Sequence, residues 1–342
     1  MLSKYSISKP TLFRKLTFSR ILVSSAMLAL TSPPSAAETV TLTTQWAAPL
    51  LQSHPLVGKI IRLHDHRTLS SSELINDLAP IPVVLIGEKH DNDDHHLIER
   101  WLIEHLFSNG GNRGDPSDIK DKRTTSLVLE MLTDEQPTAD INAHMTDVER
   151  QTQLKWNNNN WPWKDYGPSI QSALIRHFPL LSGNISRNGI MQIYQHGIPA
   201  NERFDSTVDI PNLVKAQIKE QVYESHCQLM PRDTLTPMVD VQLARDASLA
   251  SAIKSRTTDN AILIAGSFHV NKSMGVPLHL DANQPNQTWK TLQLVEVTKS
   301  KTQVDDYINQ STADYVWFTP KQSDKDYCDD MRSQLKKKPT SP

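Results

Sequence analysis

The sequence predicts an α/β fold: a largely parallel central sheet flanked by helices, with a helical cap segment. Three observations carry that expectation. Short apolar runs bounded by polar residues recur at positions 83–86, 126–129, 179–182 and 261–265. Stretches of helical periodicity lie between or beside them, an alternation that winds strands into one sheet with helices on its faces. Three of the four runs also end in ionisable residues, as strands do when their carboxyl ends open onto a ligand cleft.

Taken in chain order, residues 1–37 come first. Lys4, Lys9, Arg14, Lys15 and Arg20 occur there with no acid, an apolar run covers 21–30, and Ser35-Ala36-Ala37 precedes Glu38. This is the layout of a secretory signal peptide cleaved near Ala37. Its ten-residue apolar run is too short for a span, which needs about 20 residues. Of 36 basic and 38 acidic residues, five basic ones leave with the leader, so 31 remain against 38, a net charge of −7. That surface does not attract nucleic acid or anionic lipid. No second run is long enough to span a bilayer, so an exported, soluble domain over 38–330 with a flexible tail over 331–342 is expected. The two cysteines, Cys227 and Cys328, are expected to form a disulfide in an oxidising compartment. No cysteine stands near the cleavage site to take a lipid anchor.

After the run at 83–86, Leu97, Ile98, Trp101, Leu102 and Leu106 repeat at helical spacing. The acids of 91–94 suit the start of that helix, where they face the positive end of the dipole. Residues 108–125, rich in Gly, Asn, Asp and Lys, read as a surface insertion. The mixed segment 134–228 reads as the helical cap. A second long helix is expected over 239–254, and two further strands over 291–297 and 314–318, for which an antiparallel arrangement is considered.

The chemistry is expected where the strands end. Run 83–86 leads into Gly87-Glu88-Lys89-His90, run 126–129 into Glu130, and run 261–265 into Gly266-Ser267-Phe268-His269. If strand geometry persists for two residues, Glu88 and His90 point the same way. Two carboxylates and two imidazoles meeting at one rim suit a divalent Zn, Mn or Fe ion, or acid–base work without metal. His95 and His96 fall on the first helical turn, one expected to face the cleft and the other water. The chain has no Cys-x-x-Cys-His, no glycine-rich phosphate loop and no Gly-x-Ser-x-Gly, which argues against covalent haem, nucleotide use and serine esterase chemistry.

An ordered set of motifs carries a family resemblance: GEKHDNDDHH at 87–96, LVLEM at 127–131, WKDYGP at 163–168, GNISR at 183–187, SHCQLMP at 225–231, QLARDASLA at 242–250, IAGSFHVNKSMGVPLHL at 264–280 and DYVWFT at 314–319. With these the chain resembles the ChaN-like haem-binding family, within the wider group of TraB and Tiki-type folds. The resemblance implies an exported haem-binding protein of iron or haem uptake. Members are described as using a tyrosine as iron ligand, with histidine support and pairing of subunits around stacked haems. The position matched to that ligand is Tyr166, with His90 and His269 as supporting histidines and Trp163, beside Trp156 and Trp161, as an apolar wall. A phenolate is a hard donor suited to ferric iron. Many members look like lipoproteins; lacking the lipid-bearing Cys, this chain is expected to be free in the periplasm, with a homodimer as a further expectation. The alternative is a metal-dependent hydrolase in which Glu88, His90, Glu130 and His269 hold the ion. There Glu88 or Glu130 would act as the base for a metal-bound water, because distant relatives carry similar Gly-x-x-His and Glu motifs.

Overall fold

The structure, a computed structural model, describes residues 45–107, 123–280 and 288–337. The leader at 1–37 and nearly all of the 108–125 insertion lie outside the described residues. The chain opens with β1 (Ile60–Arg62), β2 (Arg67–Leu69) and α1 (Ser71–Leu78), followed by β3 (Val83–Glu88), α2 (Asp93–His105) and β4 (Thr125–Thr133). Next come α3 (Asp147–Gln153), α4 (Trp163–Ile175), β5 (Leu180–Asn184), α5 (Arg187–His196), α6 (Asn212–Ser225) and α7 (Thr236–Lys254). The last elements are β6 (Asn260–Gly266), β7 (Trp289–Glu296), β8 (Tyr315–Thr319) and α8 (Tyr327–Lys337).

The eight strands form one sheet in the order β2-β1-β8-β7-β3-β6-β4-β5. Pairing is parallel from β8 to β5 and antiparallel only where β1 meets β2 and β8. The strands buried on both faces explain the continuous apolar runs. Within β3, Val84 and Ile86 join the core under α1, α2 and α4, whereas Val83 and Leu85 join the core under α7. This is the two-residue alternation of a strand dividing its side chains between two helical layers.

Three expectations need correction. The last two strands are parallel, with Leu292 opposite Tyr315. The connection from Glu296 to Tyr315, which contains a short helical turn at Val304–Asp306, exceeds the dozen or so residues a parallel crossover needs. Segment 134–228 is not one cap. It contributes β5 to the sheet edge, α4 packs on α2 at one face, and α5 and α6 pack on α7 at the other. The tail expected from 331 onward is helical as far as Lys337, as part of α8. Cys227 and Cys328 are bonded, their Cα atoms 5.3 Å apart. Among the described residues no helix is long and apolar enough to cross a membrane.

Candidate functional site

The parallel register brings the carboxyl ends of β3, β6 and β4 side by side. Glu88 stands opposite Gly266, and Leu129 opposite Ile264, so Glu88, Gly266 and Glu130 reach the rim at nearly one level. Ser267 ties the ends together by donating its backbone N–H and its hydroxyl to the carbonyl of Glu88, both at 2.8 Å. Gly266 matters for what it lacks: a Cβ there would lie 2.8 Å from His90 Nε2, so the imidazole occupies the space of the missing side chain.

A continuous chain of ionisable groups results. His90 Nδ1 is 2.9 Å from Glu88 Oε1, and its Nε2 is 3.9 Å from Glu130 Oε2. Glu130 Oε1 lies 3.4 Å from His269 Nε2, and His269 Nδ1 lies 2.6 Å from Asp246 Oδ1 on α7. Tyr166, from α4, donates its hydroxyl to Glu88 Oε1 at 2.9 Å, and the same oxygen atom of the phenol is 3.5 Å from His90 Nδ1. The four residues expected at the rim therefore share one cluster with Tyr166. Asp246 joins them without having been anticipated; an acid inside the small-residue run Leu-Ala-Arg-Asp-Ala-Ser-Leu-Ala was the available signal.

Burial and charge set the protonation states. Burial disfavours a charged His269, but Glu130 and Asp246 outweigh it and raise the imidazole to about 10. His269 is thus a fixed cation with a carboxylate at each nitrogen. Burial also works against ionised Glu130, yet His269, His90 and the Gly266 N–H at 2.7 Å hold it well below the usual carboxylate range. Burial, followed by Glu88 and Glu99, pushes the Tyr166 phenol far above its ordinary value.

Neither histidine of the helix start faces water. His95 is wholly buried, its Nδ1 accepting from Lys89 N at 2.9 Å and its Nε2 2.9 Å from Thr319 Oγ1. Burial holds it well below the ordinary histidine range. His96 is buried next to Tyr166, the rings 4.9 Å apart and nearly perpendicular. The reason lies in how α2 is set: Asn92 caps it by accepting from Asp94 N and His95 N, and its amide donates to Glu296 and to the carbonyl of Pro320. The first turn is thereby pressed against the ends of β7 and β8.

Beside the cluster opens a cleft of about 670 Å³, lined by Met131, Trp161, Asn184, Ile185, Ile190 and Arg245 among others. Its volume falls in the range of small-molecule and cofactor sites. Trp161 joins cleft and cluster, its ring 4.9 Å from that of His90 and 5.9 Å from that of Tyr166. Of the three tryptophans only Trp161 is part-exposed; Trp156 and Trp163 are buried in the core and meet each other edge to face. The Arg245 Nε has no hydrogen-bond partner, and its charge acts on the neighbouring buried Asp246 of the same helix.

The family described as haem-binding uptake, Tiki superfamily, ChaN is matched over residues 74–280, a span containing every member of the cluster. No curated protein matches the chain. Among solved structures, ChaN of Campylobacter jejuni, described with cofacial heme binding, is similar over 75% of this chain and 95% of its own, at 24% identity and a TM-score of 0.61. That likeness establishes the fold. The type III effector HopBA1 covers 72% of this chain and 92% of its own at 11% identity and a TM-score of 0.40. An erythromycin esterase EreC mutant in its open conformation covers 76% and 96% at the same 11% and 0.40. With a matched span longer than half its length, this chain belongs to the haem-binding uptake family ChaN of the Tiki superfamily.

Proposed function

We propose that the protein binds haem in the cleft beside Trp161, as an exported component of haem or iron uptake, with iron held by Tyr166 and supported by His90. The observation that carries this reading is the placement of the phenol of Tyr166 and the imidazole of His90 3.5 Å apart, both rings against Trp161, which lines a 670 Å³ cleft. Trp161 offers the macrocycle an aromatic face, with Trp163 behind it in the core. Arg245 and exposed Arg187 line the same cleft and suit the carboxylates of a porphyrin edge.

Haem would supply a Lewis-acidic iron and the redox chemistry that goes with it. The residues prepare the ligand. Tyr166 is 1% exposed, so side chains packed on it have to shift before the phenol meets iron; His90, whose side chain is 39% exposed, is the neighbour with most access to water. Glu88 accepts the phenolic hydrogen bond and, with burial, keeps the proton on Tyr166; it would receive that proton only when a ferric ion takes its place on the phenol oxygen. His90 Nδ1 sits against Glu88 and its Nε2 is directed at Glu130 and Gly266, so the ring has to turn to offer a nitrogen to iron.

Titration of the purified protein with hemin is expected to give a sharpened Soret band at one equivalent per chain. Tyr166→Phe should shift the visible bands of the complex, and His90→Ala should weaken binding by about tenfold. No spectral change at micromolar hemin sinks the reading; an unaltered spectrum for Tyr166→Phe moves the ligand to His90. The four-residue divalent site of the hydrolase alternative finds less support, because both nitrogens of His269 already face carboxylates.

A further inference from the structure

Between the end of β3 and the first turns of α2 lies a second cluster, of which the haem reading uses one member. Nδ1 of His96 is 3.4 Å from Glu88 Oε2 and 3.4 Å from Glu99 Oε2. Donor atoms from the three residues lie within 4.8 Å of one another. All three side chains are withdrawn from water, Glu99 at 0%, Glu88 at 1% and His96 at 7% exposure. Glu88 Oε2 and Glu99 Oε1 have no hydrogen-bond partner, a costly condition for buried carboxylates.

The tautomer follows from the far side of the ring. His96 Nε2 meets the carbonyl of His90 at 3.1 Å, and a carbonyl only accepts, so a proton sits on Nε2. Nδ1 is then the atom aimed between the two carboxylates; with no ion bound it carries the proton that faces them, and a cation would take that proton's place. A backbone carbonyl fixing the outer nitrogen is how ligating histidines are usually oriented. The spacing agrees. At 3.4 Å the contacts are long for charge-assisted hydrogen bonds, which run about 2.7–2.9 Å. They match the edge of a tetrahedron whose centre lies about 2.0–2.2 Å from each donor, roughly 3.3–3.6 Å. Two carboxylates and a neutral imidazole also balance two positive charges.

We propose that Glu88, His96 and Glu99 form a buried divalent-cation site, separate from the haem cleft, with one nitrogen and two oxygen donors of the kind that suits Zn²⁺, Mn²⁺ or Fe²⁺. The proposal does not depend on haem binding. It is tested on the full chain, haem-free and stripped with chelator, by calorimetric titration with ZnCl₂ and MnCl₂ and by thermal melting. At least one of the two ions should bind at one equivalent and raise Tm by about 5 °C at saturation. Glu99→Gln and His96→Gln should each weaken that binding by about tenfold or more. Wild-type affinity in Glu99→Gln overturns the site, as does a folded wild-type chain that binds neither ion. Glu99→Gln keeps the shape of the side chain, so its metal-free melting curve reports folding directly, and its hemin titration reports the cleft independently; should that variant not fold, His96→Gln carries the same comparison.

Discussion

At the scale of single residues, two small features govern the imidazoles of the cluster. Gly266 leaves the space that His90 fills, and a Cβ at Gly275 would run into the carbonyl of His269. Gly266→Ala is therefore expected to displace the His90 ring while the buried strand persists, lowering hemin affinity by about tenfold with a Tm change of only a few degrees. Equal hemin affinity in that variant would separate His90 from the haem site. Asp246→Asn removes one of the two carboxylates that hold His269 charged, and should destabilise the fold by about 3 kcal/mol in a urea titration. The pH dependence has a defined sign. His269 is raised from 6.5 to about 10, with Glu130 and Asp246 outweighing burial. His96 is raised to about 9, with Glu99 and Glu88 outweighing burial. Both contributions are fully present below pH 6.5 and are lost as pH rises through about 9 to 10. Tm of the haem-free protein should fall across that alkaline window, and Asp246→Asn should flatten the fall.

At the scale of elements, α2 does more than cover the sheet. Its cap, Asn92, is wholly buried and joins the first turn of the helix to Glu296 at the end of β7 and to the carbonyl of Pro320 after β8. Asp94 in the same turn accepts from Ala47 N and Ala48 N, at 2.7 and 2.9 Å. Asn92→Ala should cost about 2 kcal/mol, because both a cap and two cross-links are lost, and it should loosen His95 and His96 together. A urea titration showing less than half that loss would mean that strand packing alone positions the helix. The spacing of His96 and Glu99, three residues apart on one helix, was visible in the sequence. Their convergence on Glu88 was not, since it depends on the tilt with which α2 crosses the rim.

At the scale of the whole molecule, the disulfide ties the end of α6 to the start of α8, closing a loop of 101 residues. Cross-linking so long a loop restricts the unfolded chain, a contribution of about 4 kcal/mol in the entropic picture. Cys227→Ser with Cys328→Ser should lower stability by about 2 to 5 kcal/mol while leaving hemin binding intact in the folded protein, because the bridge touches no member of the cluster. Loss of hemin binding in folded double variant would show that α8 supports the cleft. The sheet itself was largely legible: apolar runs at 83–86, 126–129 and 261–265 became β3, β4 and β6, longer by two, five and two residues. The antiparallel pairing considered for 291–297 and 314–318 failed because periodicity records burial and says nothing of strand direction.

By itself the sequence determined the layered α/β architecture, the helix starting at the acids of 91–94, and the presence of carboxylates and imidazoles where strands end. Those follow from local pattern: side-chain alternation, helical spacing and the chemistry of each strand's last residues. Only the tertiary structure decided strand order, the burial of Tyr166, His95 and His96, the withdrawal of Trp163 into the core, and the arrival of Asp246 from α7. These depend on contacts between residues tens to more than a hundred positions apart, such as Glu88 with Tyr166 and Glu130 with His269. No local pattern encodes them, because the energy of a buried polar contact is set by the partner that packing brings to it.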